Sequence, residues 1–271
     1  MAARRWLAVA ASAAAWLATV ACGGGSGPTP QEVLAGAPAK TLAAGTAKVA
    51  ITAQLVSGGA GSAFNGSGEF DFEADRGRLV LQGGGASEIR LAGDVVFVKL
   101  AQATERPWLK IDIEALSSRP GVDLDSLRQL QRNDPTAAMN YLRGVTADVE
   151  EIGTETVRGD PTTHYRATLD LDRAAREVEP EEREVIRQII RGLGTSRLPT
   201  DAWIDEDGRL RRLRYTLDLA EIESSGGPAS SGKVTASFEL YQFGRPVDVR
   251  DPPAAEVQDV ADLADSSRGN R

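Results

Sequence analysis

Apolar and polar residues alternate along much of the chain from residue 45 onward. Within 49–55 every second residue is apolar, which is the period of a half-buried β-strand. Further short runs of this character cover residues 64–72, 78–82, 88–92, 95–100 and 108–113. Tight turns such as Gly83-Gly84-Gly85 and Gly93-Asp94 separate the runs, and this arrangement predicts an antiparallel meander.

The apolar period changes to that of a helix in three places. Asp123 caps the first predicted helix, and Asp134-Pro135 begins the second, which ends at Gly144. Pro180 opens a third over residues 181–191, with an apolar stripe at helical spacing. These segments interrupt the strands, so we expect helices beside the sheet.

Strands return in the second half of the chain. They are predicted at 145–152, 154–158, 162–171, 202–219 and 233–243. The run 202–219 carries the strongest hairpin signal, because Asp207-Gly208 lies between two apolar segments. A polar tail with one or two helical turns around Val257 is expected from residue 251. The pattern predicts an α+β fold, with one large antiparallel sheet and helices on one face.

The first 21 residues have the pattern of an export signal. Arg4 and Arg5 precede the apolar stretch 6–21, which is short for a membrane-spanning helix. The stretch leads into Cys22 and resembles a bacterial lipobox, in which the cysteine is lipidated and becomes the first mature residue. The alternative is a plain signal peptide that leaves one unpaired thiol.

Composition narrows the chemistry that the chain can perform. With 31 Lys+Arg against 39 Asp+Glu the net charge is −8, which disfavours nucleic acid as a partner. The sequence contains one His and one Cys, so it offers neither an intrachain disulfide nor a zinc site built from several such ligands. No cofactor is expected apart from a covalent diacylglycerol-type lipid on Cys22.

Several short motifs together resemble one lipoprotein family. They are the lipobox at Cys22, Trp108-Leu109-Lys110-Ile111, Thr162-Thr163-His164-Tyr165, Trp203-Ile204-Asp205 with Gly208-Arg209-Leu210, and Phe243-Gly244 with Val247. In this order the chain resembles the actinobacterial LppX/LprA/LprF/LprG lipoproteins over nearly all of its mature length. The resemblance implies a fold similar to LolA and LolB, in which helices close the concave face of a curved antiparallel half-barrel. It also implies an apolar cavity, which in some relatives carries acyl chains.

Four segments follow from these patterns. Residues 1–21 are expected to be a lipoprotein signal peptide, 22–40 a lipidated flexible linker, 41–250 the LolA/LppX-like lipid-binding domain, and 251–271 a polar tail. Lipidation would place the protein on the outer face of the cytoplasmic membrane, with that membrane as its first partner.

Most catalytic and ion-binding readings of the sequence are weak. His164 suits a structural position better than a catalytic one, and the chain lacks the Gly-x-Ser-x-Gly elbow of many esterases. The glycine-rich segment 227–233 lacks the hydroxyl residue and helix of a phosphate loop, and Asp205-Glu206-Asp207 suits a turn better than a calcium site. The arginines between 209 and 214 could meet an anionic headgroup, or form a polar convex face balanced by nearby acids. We therefore expect a protein that is not an enzyme.

The leading hypothesis is a membrane-anchored envelope lipoprotein that binds or carries the acyl chains of a lipid or glycolipid. Strand parity and the third helix give the candidate cavity residues Val49, Ile51, Leu55, Phe70, Phe72, Leu79, Leu81, Val96, Val98, Ile186, Ile189, Ile190, Leu213, Tyr215, Leu217 and Phe238. For any single one of these residues, ordinary core is the favoured interpretation. The alternative is a surface interaction or scaffold lipoprotein with a packed core and no lipid cargo.

Overall fold

One large sheet organises the chain in the computed structural model. The structure describes residues 27–57, 60–82, 85–103, 105–112, 115, 142, 145, 148–178, 180–218 and 232–262. The strands are β1 (Thr46–Ser57), β2 (Ala60–Asp71), β3 (Arg76–Gln82), β4 (Ala86–Ala92), β5 (Val95–Leu100), β6 (Trp108–Asp112), β7 (Glu150–Val157), β8 (Asp160–Asp170), β9 (Arg197–Asp205), β10 (Leu210–Asp218), β11 (Gly232–Tyr241) and β12 (Val257–Asp259).

The strands form two meanders that meet at the middle of the sheet. Their order is β12-β6-β5-β4-β3-β2-β1-β11-β10-β9-β8-β7, and β1 pairs with β11 where the halves join. Neighbouring strands are antiparallel except for β12, which lies parallel to β6. The predicted α+β class with one large antiparallel sheet is confirmed, and the sheet is open and curved.

A helix forms where a flexible linker was expected. Helix α1 (Pro30–Leu42) begins with Thr29 in a capping box with Glu32, in which each side chain bonds the other residue's backbone N–H. Leu34 and Ala37 on this helix are fully buried in the core. The linker prediction is therefore wrong for residues 30–40, because a capped start and an apolar face against the sheet outweigh the glycine-rich composition before them.

The second half carries two more helices. Helix α2 (Leu171–Arg176) follows β8 directly, and the Asp170 side chain caps it by accepting from the backbone N–H of Arg173 at 2.9 Å. The predicted strand over 162–171 is correct as far as Asp170, because the helix begins at the next residue. Helix α3 (Pro180–Leu193) contains the predicted helix 181–191.

The C-terminal segment joins the sheet instead of leaving it. A 3₁₀ turn at Ala254–Glu256 precedes β12, and Lys110 of β6 forms an ion pair with Asp259 at 3.2 Å. The expected polar tail is wrong for residues 257–259, because their backbone pairs with β6, whereas helical turns lie on either side of this strand, at Ala254–Glu256 and at 260–262. The two helices predicted between 123 and 144 fall outside the described residues, apart from Leu142.

Candidate functional site

One face of the sheet, here called the inner face, is apolar across both meanders and packs against α1. Alternation along β1 places Ala47, Val49, Ile51, Ala53 and Leu55 on it. The register extends the face to neighbouring strands, because Val49 lies opposite Leu240, Ile51 opposite Phe238, and Leu55 opposite Val234. On β10 it continues through Leu213, Tyr215 and Leu217.

Burial of the inner face decreases along the strands. On β1, Ala47 and Val49 are fully buried, Ile51 and Ala53 are half-buried, and Leu55 is 39% exposed. Strand β11 repeats the trend from buried Leu240 and Phe238 to half-buried Ala236 and Val234, and β10 runs from buried Leu213 to half-buried Tyr215 and Leu217. The face is thus closed where α1 packs on it and open where β1 and β10 end; we call these the closed end and the open end.

A groove lies on the sheet at the open end. Its volume is about 380 Å³, and Ala53, Leu55, Phe64 and Val234 supply its apolar lining together with Gln54, Ser62 and Ala63. Small-molecule sites occupy roughly 300–1,000 Å³ and are mostly apolar. The groove therefore has the size and lining to accept an apolar segment of a ligand.

The predicted cavity residues fall into three packed clusters and the groove. Val49, Phe70, Leu79, Leu213 and Phe238 are buried in the main core, with Ile51, Phe72, Leu81, Tyr215 and Leu217 partly buried against it. Val96 and Val98 pack with Ile89 and Ile111, while Ile186, Ile189 and Ile190 pack with Leu171, Ala174 and Ala175 of α2. Of the candidates only Leu55 lines the groove.

The groove residues Ala53, Phe64 and Val234 were not among the candidates. Ala53 and Phe64 are cross-strand partners, and Val234 lies beside Leu55 on β11. The alternation along β1 and in the run 64–72 contains the signal for the first two. The pairing of β1 with β11, which brings Val234 to the groove, joins segments far apart in sequence.

The opposite, outer face carries a buried histidine between two carboxylates. His164 is 3% exposed, and its Nδ1 lies 2.8 Å from Glu155 Oε1 while its Nε2 lies 2.8 Å from Asp201 Oδ1. Its ring stacks on Trp203, with centroids 4.3 Å apart. Both ring nitrogens are engaged by the protein itself, so the structural reading of His164 explains its contacts.

The carboxylates of this cluster are held in their charged forms. The hydrogen bond from the Trp203 indole to Glu155 Oε2, at 2.8 Å, is the main cause that lowers the pKa of Glu155. Burial raises the pKa of Asp201, but hydrogen bonds from His164 and Arg214 outweigh burial, so this pKa is also lowered. The cluster is a connected polar network whose charges complement one another.

The β10 arginines belong to the same outer face. Arg212 pairs with Glu239 at 2.7 Å and Arg214 with Asp201 at 3.1 Å, and both guanidinium groups lie over the Trp203 ring. Burial raises the pKa of Glu239, but hydrogen bonds from Arg212 and Arg158 outweigh that effect and lower it. Arg212 and Arg214 are thus neutralised by carboxylates of the protein itself.

The hairpin between β9 and β10 is confirmed. Asp205 accepts the backbone N–H of Arg209 at 2.8 Å and the Arg209 Nε–H at 3.0 Å, while Gly208 adopts a φ of +77° that favours glycine. These bonds assign Asp205 to the turn. Among the residues that the structure describes, no three His, Cys, Asp or Glu side chains are grouped to hold a metal ion.

No helix within the described ranges combines the length and apolar character needed to cross a membrane.

Comparison with known proteins gives relatives of low identity. No family model matches the chain. It is 23% identical over 190 residues to a Streptomyces griseus protein described as an uncharacterized 31.2 kDa protein in the rplA-rplJ intergenic region. The match covers 67% of this chain and 59% of that protein, which is less than two thirds of the relative's length.

Solved structures to which this chain is similar include two mycobacterial lipoproteins. LppX of Mycobacterium tuberculosis is 16% identical with a TM-score of 0.45, covering 80% of this chain and 98% of that chain. LprF of Mycobacterium bovis is 17% identical with a TM-score of 0.46, covering 84% and 99%. A LolA superfamily protein of Nitrosomonas europaea is 10% identical with a TM-score of 0.29, covering 83% and 94%.

Proposed function

We propose that this protein is a lipid-anchored envelope protein that binds the acyl chains of a lipid or glycolipid at the open end of the inner face. The observation that carries the proposal is the burial gradient along β1, from fully buried Val49 to Leu55 at 39% exposure on one apolar face. A core that served stability alone would be more stable if Leu55, Val234 and Leu217 were covered, since the exposed part of each apolar side chain contributes no burial energy.

The physical gain from such a site is large. Each methylene group removed from water contributes about 0.8 kcal/mol, so an acyl chain in water is costly to hold and is readily captured by an apolar surface. The groove of about 380 Å³ at Ala53, Leu55, Phe64 and Val234 offers that surface. Its volume suits part of a chain, and the half-buried Tyr215 and Leu217 extend the apolar face beyond it.

An anchor at Cys22 would hold the domain beside its lipid source. Cys22 and the signal-like residues before it lie outside the described residues, so this part of the proposal rests on the sequence pattern. The described structure begins at Gly27, three residues before α1. Attachment at Cys22 would therefore keep the sheet close to the outer face of the cytoplasmic membrane, since the intervening linker is short.

No covalent chemistry is part of the proposal. The single His in the chain lies between Glu155 and Asp201 on the outer face and stacks on Trp203, away from the inner face. Its contacts support a role in holding β7, β8 and β9 together.

Two adjacent substitutions test the acyl-chain site. Leu55→Asp places a charge in the groove, whereas Val56→Asp places one on the outer face of the same strand, where Val56 is 53% exposed. We expect Leu55→Asp to weaken binding of a fluorescent fatty acid by about tenfold or more, because a carboxylate opposes apolar transfer. Val56→Asp should bind like the wild type. Equal binding by all three proteins would show that the groove is not the acyl-chain site, and absence of binding by the wild type would favour the scaffold alternative with a packed core.

A further inference from the structure

A second groove lies on the outer face at the open end of the sheet. Its volume is about 370 Å³, and the side chains that matter for its chemistry are Thr168, Thr195, Arg197, Thr216, Asp218 and Lys233. Register places Lys233 opposite Asp218, one residue from the Val234–Leu217 pair of the inner face. The outer groove and the apolar open end thus lie on opposite faces of the sheet, at the same strand ends.

The cations of the outer groove differ from the other outer-face arginines. Arg212, Arg214 and Arg166 each pair with a carboxylate within 3.3 Å. Arg197 and Lys233 are exposed, and neither forms an ion pair with any residue in the described part of the chain. Asp218 has an interaction of its own and adds one negative charge against these two positive ones. The described lining of the groove thus holds two cations and one carboxylate.

Hydroxyl groups complete the lining. Thr168 and Thr216 are half-buried and line the groove, and a threonine hydroxyl can donate a hydrogen bond to an anionic oxygen. The Thr195 hydroxyl accepts from the backbone N–H of Arg197 at 3.1 Å, which fixes the start of β9. Two cations and two hydroxyl donors around the groove suit an oxyanion with several acceptor oxygens.

We infer that the outer groove binds a phosphate group, and that it holds the headgroup phosphate of an anionic lipid whose chains occupy the open end. The inference rests on the proposed function for the position of the chains. The placement of Lys233 beside Val234 supports it, because adjacent residues on one strand face opposite sides of the sheet, so the outer groove and the apolar open end lie at the same strand ends. Soluble phosphate shares the chemistry, so the test separates the two sources.

The test uses the full chain in mild detergent with mixed micelles of phosphatidylglycerol and diacylglycerol that carry identical acyl chains. Native mass spectrometry counts each lipid bound to the wild type, to the double variant Arg197→Gln/Lys233→Gln, and to the control Lys48→Gln/Arg245→Gln. The control removes the same two residue types near the other end of β1 and β11, where Lys48 lies opposite Tyr241. A parallel titration with inorganic phosphate alone measures the soluble anion.

We expect the wild type and the control to prefer phosphatidylglycerol by about tenfold, since two partly exposed charge pairs contribute on that order. The double variant should lose the preference and still bind diacylglycerol. Equal binding of both lipids by the wild type, or a preference that survives in the double variant, overturns the inference alone. Failure to bind either lipid overturns the proposed function and the headgroup assignment. If neither lipid binds, but the wild type binds inorganic phosphate and the double variant does not, the groove is a site for soluble phosphate.

Discussion

Two alanines on one face of β1 provide a direct comparison between a closed and an open part of the sheet. Ala47 is fully buried at the closed end, whereas Ala53 is half-buried and lines the groove. They lie six positions apart on the same strand, or about 20 Å along it. Substitution of each alanine by Trp adds the same side-chain volume at a closed and at an open position of the strand.

The expected effects on stability differ. Ala47→Trp forces an indole into a packed core beside Phe70, and overpacking typically costs about 1–3 kcal/mol. For a domain of this size, each kcal/mol lowers the melting temperature by about 2–4 °C, so we expect a loss of about 2–12 °C. Ala53→Trp places the indole in a groove of about 380 Å³ and should change the melting temperature by less than about 2 °C.

The expected effects on binding are reversed. An indole at Ala53 that displaces two methylene groups of a bound chain removes about 1.6 kcal/mol, which is more than tenfold in affinity. Ala47→Trp, where it folds, should bind acyl chains like the wild type. The assays are thermal melts of delipidated protein and titration with a fluorescent fatty acid. If Ala53→Trp destabilises as strongly as Ala47→Trp and leaves binding unchanged, the groove is packed core and the reasoning fails.

Three further substitutions test other parts of the account. His164→Ala should lower the free energy of unfolding by about 2–4 kcal/mol, because it removes a buried ring that bonds both Glu155 and Asp201 and stacks on Trp203, and should leave fatty-acid affinity unchanged. Loss of binding in a folded variant would show that His164 takes part in binding. Because the pKa of Glu239 is lowered in the fold, its stabilising contribution is present above the ordinary value of 4.5 and is lost as the pH falls through the native pKa. Glu239→Gln should therefore be less stable than wild type at pH 7 by about 1–2 kcal/mol, with the gap closing towards pH 3 in chemical unfolding, and a constant gap would contradict the charge argument. Cys22→Ala should give incomplete processing or release from membranes on fractionation, and a normally matured variant that stays in the pellet would contradict lipidation.

Local sequence predicted the elements whose stability is local. Alternation located most of the strands well enough to predict one antiparallel sheet. Asp207-Gly208 located the β9–β10 turn, because turn chemistry depends on neighbouring residues. Thr29-Pro30 with Glu32 also carried a helix start signal, although the glycines before it favoured a linker.

Long-range pairing determined what the pattern did not predict. Helix α1 is stabilised by burying Leu34 against strands more than 150 residues later, and its Thr41 hydroxyl accepts from the backbone N–H of Leu210 at 2.9 Å. Strand β12 has three residues and depends on β6 for every backbone pair. The partners of His164 lie 9 and 37 residues away, so no local spacing identifies them.

The residues of the candidate site were likewise predicted only in part from local sequence. Strand parity identified the inner face, because side-chain direction follows from a period of two. It could not separate Val49, which is core, from Leu55, which lines the groove, because that difference depends on where α1 ends its contact with the sheet. The cations Arg197 and Lys233 meet only through the pairing of distant strands.

Native mass spectrometry of the full chain purified from bacterial membranes tests the central claim most directly. The account predicts a population that carries, in addition to its covalent anchor, a non-covalent adduct with the mass of an acyl lipid. That adduct should be depleted in Ala53→Trp. A wild type that carries only its anchor under conditions that retain lipids, with a mass distribution identical to that of Ala53→Trp, would contradict the claim that the open end binds acyl chains.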